Sequence, residues 1–140
     1  MSFPYQSRSE IEAVVQGFES CSTAKDQFPH QSHLTVATWY LHDSGLDQAT
    51  EKMRKGLFRF LEHHGVGQEK YNETLTIFWL KVIDNKLKEL SADLSLLELT
   101  NSVISALANA RIVFDYYSME LLNSPEAKRK WIEPDLKRIA

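Results

Sequence analysis

The sequence predicts an all-α protein, a single-domain bundle of about five helices followed by a short C-terminal helix. Apolar residues recur with helical spacing in five segments, no segment keeps a strand-like alternation, and most of the few Gly and Pro residues stand near expected helix boundaries. A length of 140 residues suits one domain. We therefore expect residues 1–140 to form one mostly antiparallel helical domain.

The first helix is predicted from a capping signal and an apolar stripe. Ser9 and Glu12 have the spacing of a capping box, in which each side chain bonds the backbone of the other residue. The stripe that follows runs from Ile11 to Phe18 at helical spacing. We therefore expect this helix to begin at Ser9.

The second and third helices are predicted from their glycines. The second helix starts within residues 30–33 and runs to about His42, and Gly45 ends it. Asp47 is the expected cap of the third helix, which Gly65 ends. Gly56 lies on the apolar stripe of the third helix, where the missing side chain allows another helix to approach closely.

The fourth helix, residues 70–90, is the most apolar and is expected at the centre of the bundle. Ser95 and Glu98 repeat the capping-box spacing and predict the start of the fifth helix. Residues 109–117 are compatible with either an extended stretch or a helix. Ser124 and the proline after it are a good start for the short terminal helix.

Composition excludes several function classes. The net charge is −3 and no basic stripe is present, so we predict no nucleic-acid partner. The longest apolar run, residues 77–80, is far too short to cross a bilayer, and residues 1–10 lack the apolar core of a signal peptide. Cys21 is the only cysteine, so no intramolecular disulfide is possible. These observations predict a cytoplasmic protein without a membrane partner.

Two histidines form the first candidate site. His30 and His33 are three residues apart and so share a helix face. The pair has the spacing to hold one metal ion, and alternatively one imidazole orients the other. The plain alternative is a solvated pair at a helix start.

A polar stretch at the start of the fourth helix, residues 71–76, forms the second candidate site. A carboxylate such as Glu73 on an apolar helix needs a partner, or else it takes up a proton. The alternative is an exposed carboxylate that the helix dipole favours. Asn72, Thr76 and Trp79 share the adjoining face.

If the second and fourth helices pack face to face, both stretches line one cleft. The candidate catalytic residues are then His33, Glu73 and Tyr40. The candidate substrate-binding residues are Tyr71, Asn72, Thr76 and Trp79. The candidate metal ligands are His30, His33 and Glu73, a set that suits a divalent transition metal such as zinc or iron. Without a metal, a Glu–His pair serves as general base and orienter.

The C-terminal part of the chain is rich in aromatic residues. Tyr116, Tyr117 and Trp131 are expected to cover the end of the bundle. The alternative is an aromatic lid over the cleft.

Three segments resemble, in order, motifs of a family of small bacterial helical proteins that are largely of unknown function. The segments are FPHQSHL (residues 28–34), YNETLT (71–76) and the SPEA and WIEPD elements of residues 124–135. The resemblance spans residues 28–136 and implies an all-α fold with a shared polar cluster. This chain departs from the pattern at Asn72, where the family has a histidine, so a metal ligand there would be lost.

Three functional interpretations remain open on the sequence. The first is an enzyme that acts on a small molecule in the His/Glu cleft, with or without a metal. The second is a non-catalytic module that binds a ligand or a partner, including a second copy of the chain. In the third, the polar groups only stabilise the fold.

Overall fold

Five helices of twelve to eighteen residues carry most of the core in the computed structural model, which describes residues 3–140. They are α1 (Arg8–Glu19), α2 (His30–Asp43), α3 (Leu46–His63), α4 (Glu73–Glu89) and α5 (Leu96–Leu107). Two short helices follow, α6 (Met119–Leu122) and α7 (Pro125–Arg129), and short 3-10 segments lie at Lys25–Gln27, Gln68–Lys70 and Ala110–Asp115. Residues 3–140 contain no strand, so the all-α prediction is confirmed.

Helix α1 begins two residues earlier than predicted. Ser7 rather than Ser9 is its N-cap, and Ser7 forms the capping box with Glu10. The two candidate pairs have the same spacing, so the sequence does not distinguish them. Tyr5 contributes to the choice, because its backbone N–H donates to the Asn101 amide oxygen and its carbonyl accepts from the Asn101 amide nitrogen. These two bonds fix the chain just before Ser7.

Helix α2, rather than α4, has the most central position. It packs against α1, α3, α4 and α5, and seven of its residues are buried. Two of the seven are Thr35 and Thr38, which the apolar pattern does not mark as core residues. Their hydroxyls donate to the carbonyls of Gln31 and Leu34 one turn earlier, at 2.8 Å each, so their burial leaves no polar group unpaired.

Helices α1 and α3 approach each other closely at Gly56, as predicted. A Cβ atom at this position would lie 2.5 Å from the ring of Phe18, inside van der Waals contact. The Phe18 ring stacks in turn on Phe28, with ring centroids 4.8 Å apart, and on Phe60, at 5.6 Å. The missing side chain of Gly56 therefore sets the position of an aromatic cluster between the two helices.

Of the two signals predicted for the ends of α3, Gly65 is confirmed and Asp47 is not the cap. Gly45, expected to end the preceding helix, is the N-cap of α3, and Asp47 lies in the first turn instead of capping it. A carboxylate there still favours the helix, because the N-terminal end of the macrodipole is positive. Gly65 follows the helix with φ +69°, a conformation that favours glycine.

The remaining boundaries largely follow the sequence signals. The capping box of Ser95 and Glu98 begins α5, and Ser124 caps α7 with a proline in the first turn, both as predicted. The ambiguous residues 109–117 contain the 3-10 segment Ala110–Asp115, while α6 was not anticipated. Tyr117 is fully buried and its hydroxyl donates to the Ile132 carbonyl, which confirms packing rather than a lid for this residue.

Within residues 3–140, no helix combines the length and the apolar character needed to traverse a bilayer.

Candidate functional site

A cavity of about 540 Å³ opens between α2, α3 and α4, and we call it the cleft. This volume falls within the roughly 300–1,000 Å³ of typical small-molecule sites. Most of the lining side chains are apolar. The polar lining residues are His30, His33, Lys70, Tyr71, Asn72, Thr76 and Asn123. The structure therefore brings α2 and α4 face to face, and six of the predicted site residues line the cleft: His30, His33, Tyr71, Asn72, Thr76 and Trp79.

His33 is a neutral base that faces the cleft. Its ring contacts the Phe28 ring at a centroid distance of 4.5 Å, and its side chain forms no hydrogen bond with another residue of 3–140. Burial, and then the neighbouring charge of His30, lower the pKa of His33 to about 4. The side chain is half-buried and lines the cleft.

His30 ties α2 to α5. Its Nε2 atom lies 2.9 Å from the carbonyl oxygen of Leu107, the last residue of α5. A carbonyl only accepts, so Nε2 carries a proton and Nδ1 has the lone pair in the neutral ring. The same ring meets Trp79 edge-on at a centroid distance of 4.6 Å. His30 therefore satisfies a carbonyl that the helix end leaves free.

Asn72 and Thr76 contribute polar atoms that already have partners. Asn72 is the N-cap of α4: its amide oxygen accepts from the Leu75 N–H, and its amide nitrogen donates to the Leu122 carbonyl. The Thr76 hydroxyl donates to the Asn72 carbonyl at 3.0 Å. At the position where the family resemblance implies a histidine, this chain therefore has a helix cap.

Glu73 does not join the histidines. Both of its carboxylate oxygens accept from the Arg54 guanidinium, and Oε1 also accepts from the Tyr71 hydroxyl. Burial alone would raise the pKa of Glu73, but the hydrogen bonds from Arg54 and Tyr71 outweigh burial and lower it. Glu73 is thus an ionised, paired carboxylate that does not line the cleft. The prediction that Glu73 shares a site with His33 is wrong. Asn72 lines the cleft, and the next residue on the helix, Glu73, points about 100° away from it.

The predicted metal set of His30, His33 and Glu73 is consequently not assembled. Within residues 3–140, no three His, Cys, Asp or Glu side chains lie close enough to hold one ion. The Glu73 carboxylate, which the predicted metal site required, is instead paired with Arg54.

Tyr40 also lies outside the cleft. It is seven residues from His33, which places it about 10 Å further along α2. At that level α1 is the neighbour, and the Tyr40 hydroxyl donates to the Glu19 carboxylate at 2.6 Å. The predicted catalytic role of Tyr40 in this cleft is therefore not supported by its position.

A second depression of about 360 Å³ lies on the other side of Tyr71, and we call it the basic groove. It is lined by Arg54, Phe58, Gln68, Glu69, Tyr71, Glu73, Lys128 and Arg129. Tyr71 lines both the groove and the cleft, so its ring forms a shared wall. Burial, and then the hydrogen bond to Glu73, raise the pKa of Tyr71 and keep its hydroxyl a donor.

Several polar side chains of these two sites were not predicted from the sequence. Lys70 and Asn123 line the cleft, and Arg54, which pairs with Glu73, lines the groove. An arginine on one helix and a carboxylate at the start of the next are a possible ion pair, but only the helix register identifies the partner. Lys70 and Asn123 come from short connecting elements and follow no periodic pattern.

In comparisons with known proteins, no family model, no curated protein and no solved structure matches this chain. The resemblance to the family of small bacterial helical proteins therefore stays a prediction.

Proposed function

We propose that the protein is an enzyme that acts on a small molecule in the cleft, with His33 as the proton acceptor. One observation carries this proposal: His33 is a desolvated, neutral imidazole without an intramolecular hydrogen bond to residues 3–140, and it faces a cavity of ligand size. Neutral imidazole is the form of histidine that accepts a proton.

The surroundings of His33 indicate which protons it can accept. Because burial disfavours the imidazolium, His33 is a weaker base than free imidazole and accepts a proton only from a strongly activated donor, such as an acidic C–H group. The same burial returns the proton readily to the product. The Phe28 ring packs against one side of the imidazole, and most of the cleft lining around it is apolar.

Carbethoxylation with diethylpyrocarbonate at pH 5 tests the base directly, because this reagent modifies accessible neutral imidazole. A histidine with a pKa near 6.5 is only about 3% neutral at pH 5, whereas His33 is about 90% neutral. Peptide mass spectrometry should therefore find faster modification at His33 than at the exposed His63, which is the internal control. If His63 reacts first at pH 5, His33 is not the accessible base that the proposal needs.

A catalytic test follows with 5-nitrobenzisoxazole, a small apolar molecule whose activated C–H proton passes to a base while the ring N–O bond breaks and a cyanophenolate is released. His33→Gln should abolish turnover at pH 7, while His63→Gln should leave it unchanged. Equal turnover in wild type and His33→Gln would contradict the assignment of His33.

The second candidate function is non-catalytic binding of a small molecule in the same cleft. It is favoured by Asn72 and Thr76, whose polar atoms already have partners within the protein and so are not free to assist His33. Binding of 1-octanol in the cleft without His33-dependent turnover of 5-nitrobenzisoxazole would favour this candidate over the enzyme.

A further inference from the structure

The lining of the cleft includes one lysine at its edge and no carboxylate among the described residues. Among the described lining residues, Lys70 is the only lysine or arginine, and none is an aspartate or glutamate. Lys70 forms no ion pair with another residue of 3–140. Its neighbour Glu69 lines the basic groove on the other side of Tyr71 instead. The positive charge of Lys70 is therefore not cancelled within the cleft.

Lys70 lies at the rim. Its side chain lines the cavity and is also exposed to solvent, as is that of Asn123, which follows α6. The Asn123 amide forms no side-chain hydrogen bond with the described residues. Two unengaged hydrogen-bond donors from separate elements thus border the opening.

Most of the interior of the cleft is apolar. Leu57 and Leu61 of α3 and Leu75, Leu80 and Ile83 of α4 belong to its walls. A ligand that fills this volume must bury an apolar body, and the charged rim favours a negative group at one end. A cationic ligand meets an uncompensated like charge, and a fully polar ligand loses its hydration without new partners.

We propose that the ligand of the cleft is an amphipathic carboxylate: an alkyl or aryl body among the leucines, and a carboxylate at Lys70 and Asn123. This inference rests on the proposed function, because it specifies the molecule that the same cleft receives. The carboxylate holds the body in one orientation and places its apolar part beside His33.

Octanoate and 1-octanol separate the two parts of the proposal, because they share a chain length and differ in charge. Isothermal titration calorimetry with the whole chain at pH 7 should give about fivefold tighter binding of octanoate, the scale of one exposed ion pair. Hexanoate should bind about fifteenfold more weakly than octanoate, since each buried methylene contributes about fourfold. Trp79 lines the cleft, so a change in the NMR chemical shift of its indole N–H on binding would place the probes there.

Lys70→Gln should remove the preference for octanoate and leave 1-octanol binding unchanged. Lys55→Gln is the matched control, because Lys55 is also exposed and lies outside the cleft. Both substitutions change the net charge by the same amount. Loss of the preference in both variants would mean a general charge effect and overturn the assignment of Lys70.

The outcomes also separate this inference from the proposed function. Equal binding of octanoate and 1-octanol by the wild-type chain overturns the carboxylate but keeps a small-molecule cleft. Absence of binding by both probes, with an unshifted Trp79 signal, overturns the cleft itself and the proposed function with it.

Discussion

The cleft and the basic groove share the Tyr71 ring but differ in how their ionisable groups are held. In the groove, Glu73 is ionised and paired with Arg54. In the cleft, His33 is uncharged and has no hydrogen-bond partner among residues 3–140. The carboxylate that looked reactive in the sequence is therefore neutralised by its partner, while burial without a partner leaves the imidazole free to react.

The difference arises within one turn of α4. Asn72 and Glu73 are consecutive, yet Asn72 lines the cleft and Glu73 lines the groove. A rotation of about 100° per residue separates them. Adjacent polar residues at a helix start thus supply two different sites.

The largest expected effect concerns His33 and pH. Its folded pKa of about 4 lies below the unfolded value of 6.5, so the unfolded chain binds more protons between these values. Stability should therefore fall as pH decreases from about 6.5 to 4, by on the order of 3 kcal/mol. Urea unfolding at pH 7, 5.5 and 4 measures this loss. The free energy of unfolding should decrease less steeply with falling pH in His33→Gln than in wild type.

Glu73 adds to this loss only near the bottom of the range, because its pKa is lowered and its stabilisation starts to be lost as pH falls through the ordinary value near 4.5. The comparison with His33→Gln removes this contribution, because Glu73 is present in both proteins. If wild type and His33→Gln lose stability equally between pH 6.5 and 4, His33 is not desolvated and its contrast with Glu73 disappears.

The second prediction tests the groove. Glu73→Ala leaves Arg54, with 30% of its side chain exposed, without its main partner, and should reduce the free energy of unfolding by about 2 kcal/mol. Glu12→Ala is the control, because the Arg8–Glu12 pair is largely exposed and should change stability by less than about 0.5 kcal/mol. Chemical denaturation at pH 7 measures both. Equal losses would show that the Arg54–Glu73 pair is only a surface interaction.

The third and smallest prediction concerns the cap between the two sites. Asn72→Ala should cost about 1 kcal/mol, because it removes the cap on the Leu75 N–H. Asn72→Ser keeps a capping oxygen and loses the donor to the Leu122 carbonyl, so its melting temperature should lie between wild type and Asn72→Ala. A melting temperature of Asn72→Ser below that of Asn72→Ala would contradict this account.

Local signals in the sequence sufficed for most of the helices. Ser95, Ser124 and Gly65 act within one turn of their own positions, so their roles could be predicted. The start of α1 could not, because Ser7 and Ser9 offer equal caps and the contact between Tyr5 and Asn101 joins residues 96 apart.

The candidate site was predictable in part for the same reason. His33, Asn72 and Thr76 reach one cleft because helical spacing fixes which residues share a face. The partner of Glu73 depends on how α3 is rotated against α4, and the environment of Tyr40 depends on where α1 crosses α2. Such interhelical geometry leaves no signal in the spacing of residues along one helix.

The hydrogen atom that serves as the side chain of Gly56 has an effect well beyond its own helix. The Phe18 ring fills the space next to Gly56, the Phe28 ring stacks on Phe18, and the His33 ring contacts Phe28. A methyl group at position 56 would therefore press on the imidazole through two intervening rings. Position 56, which has no contact with the cleft, offers a way to tune the base while every residue around the ligand stays the same.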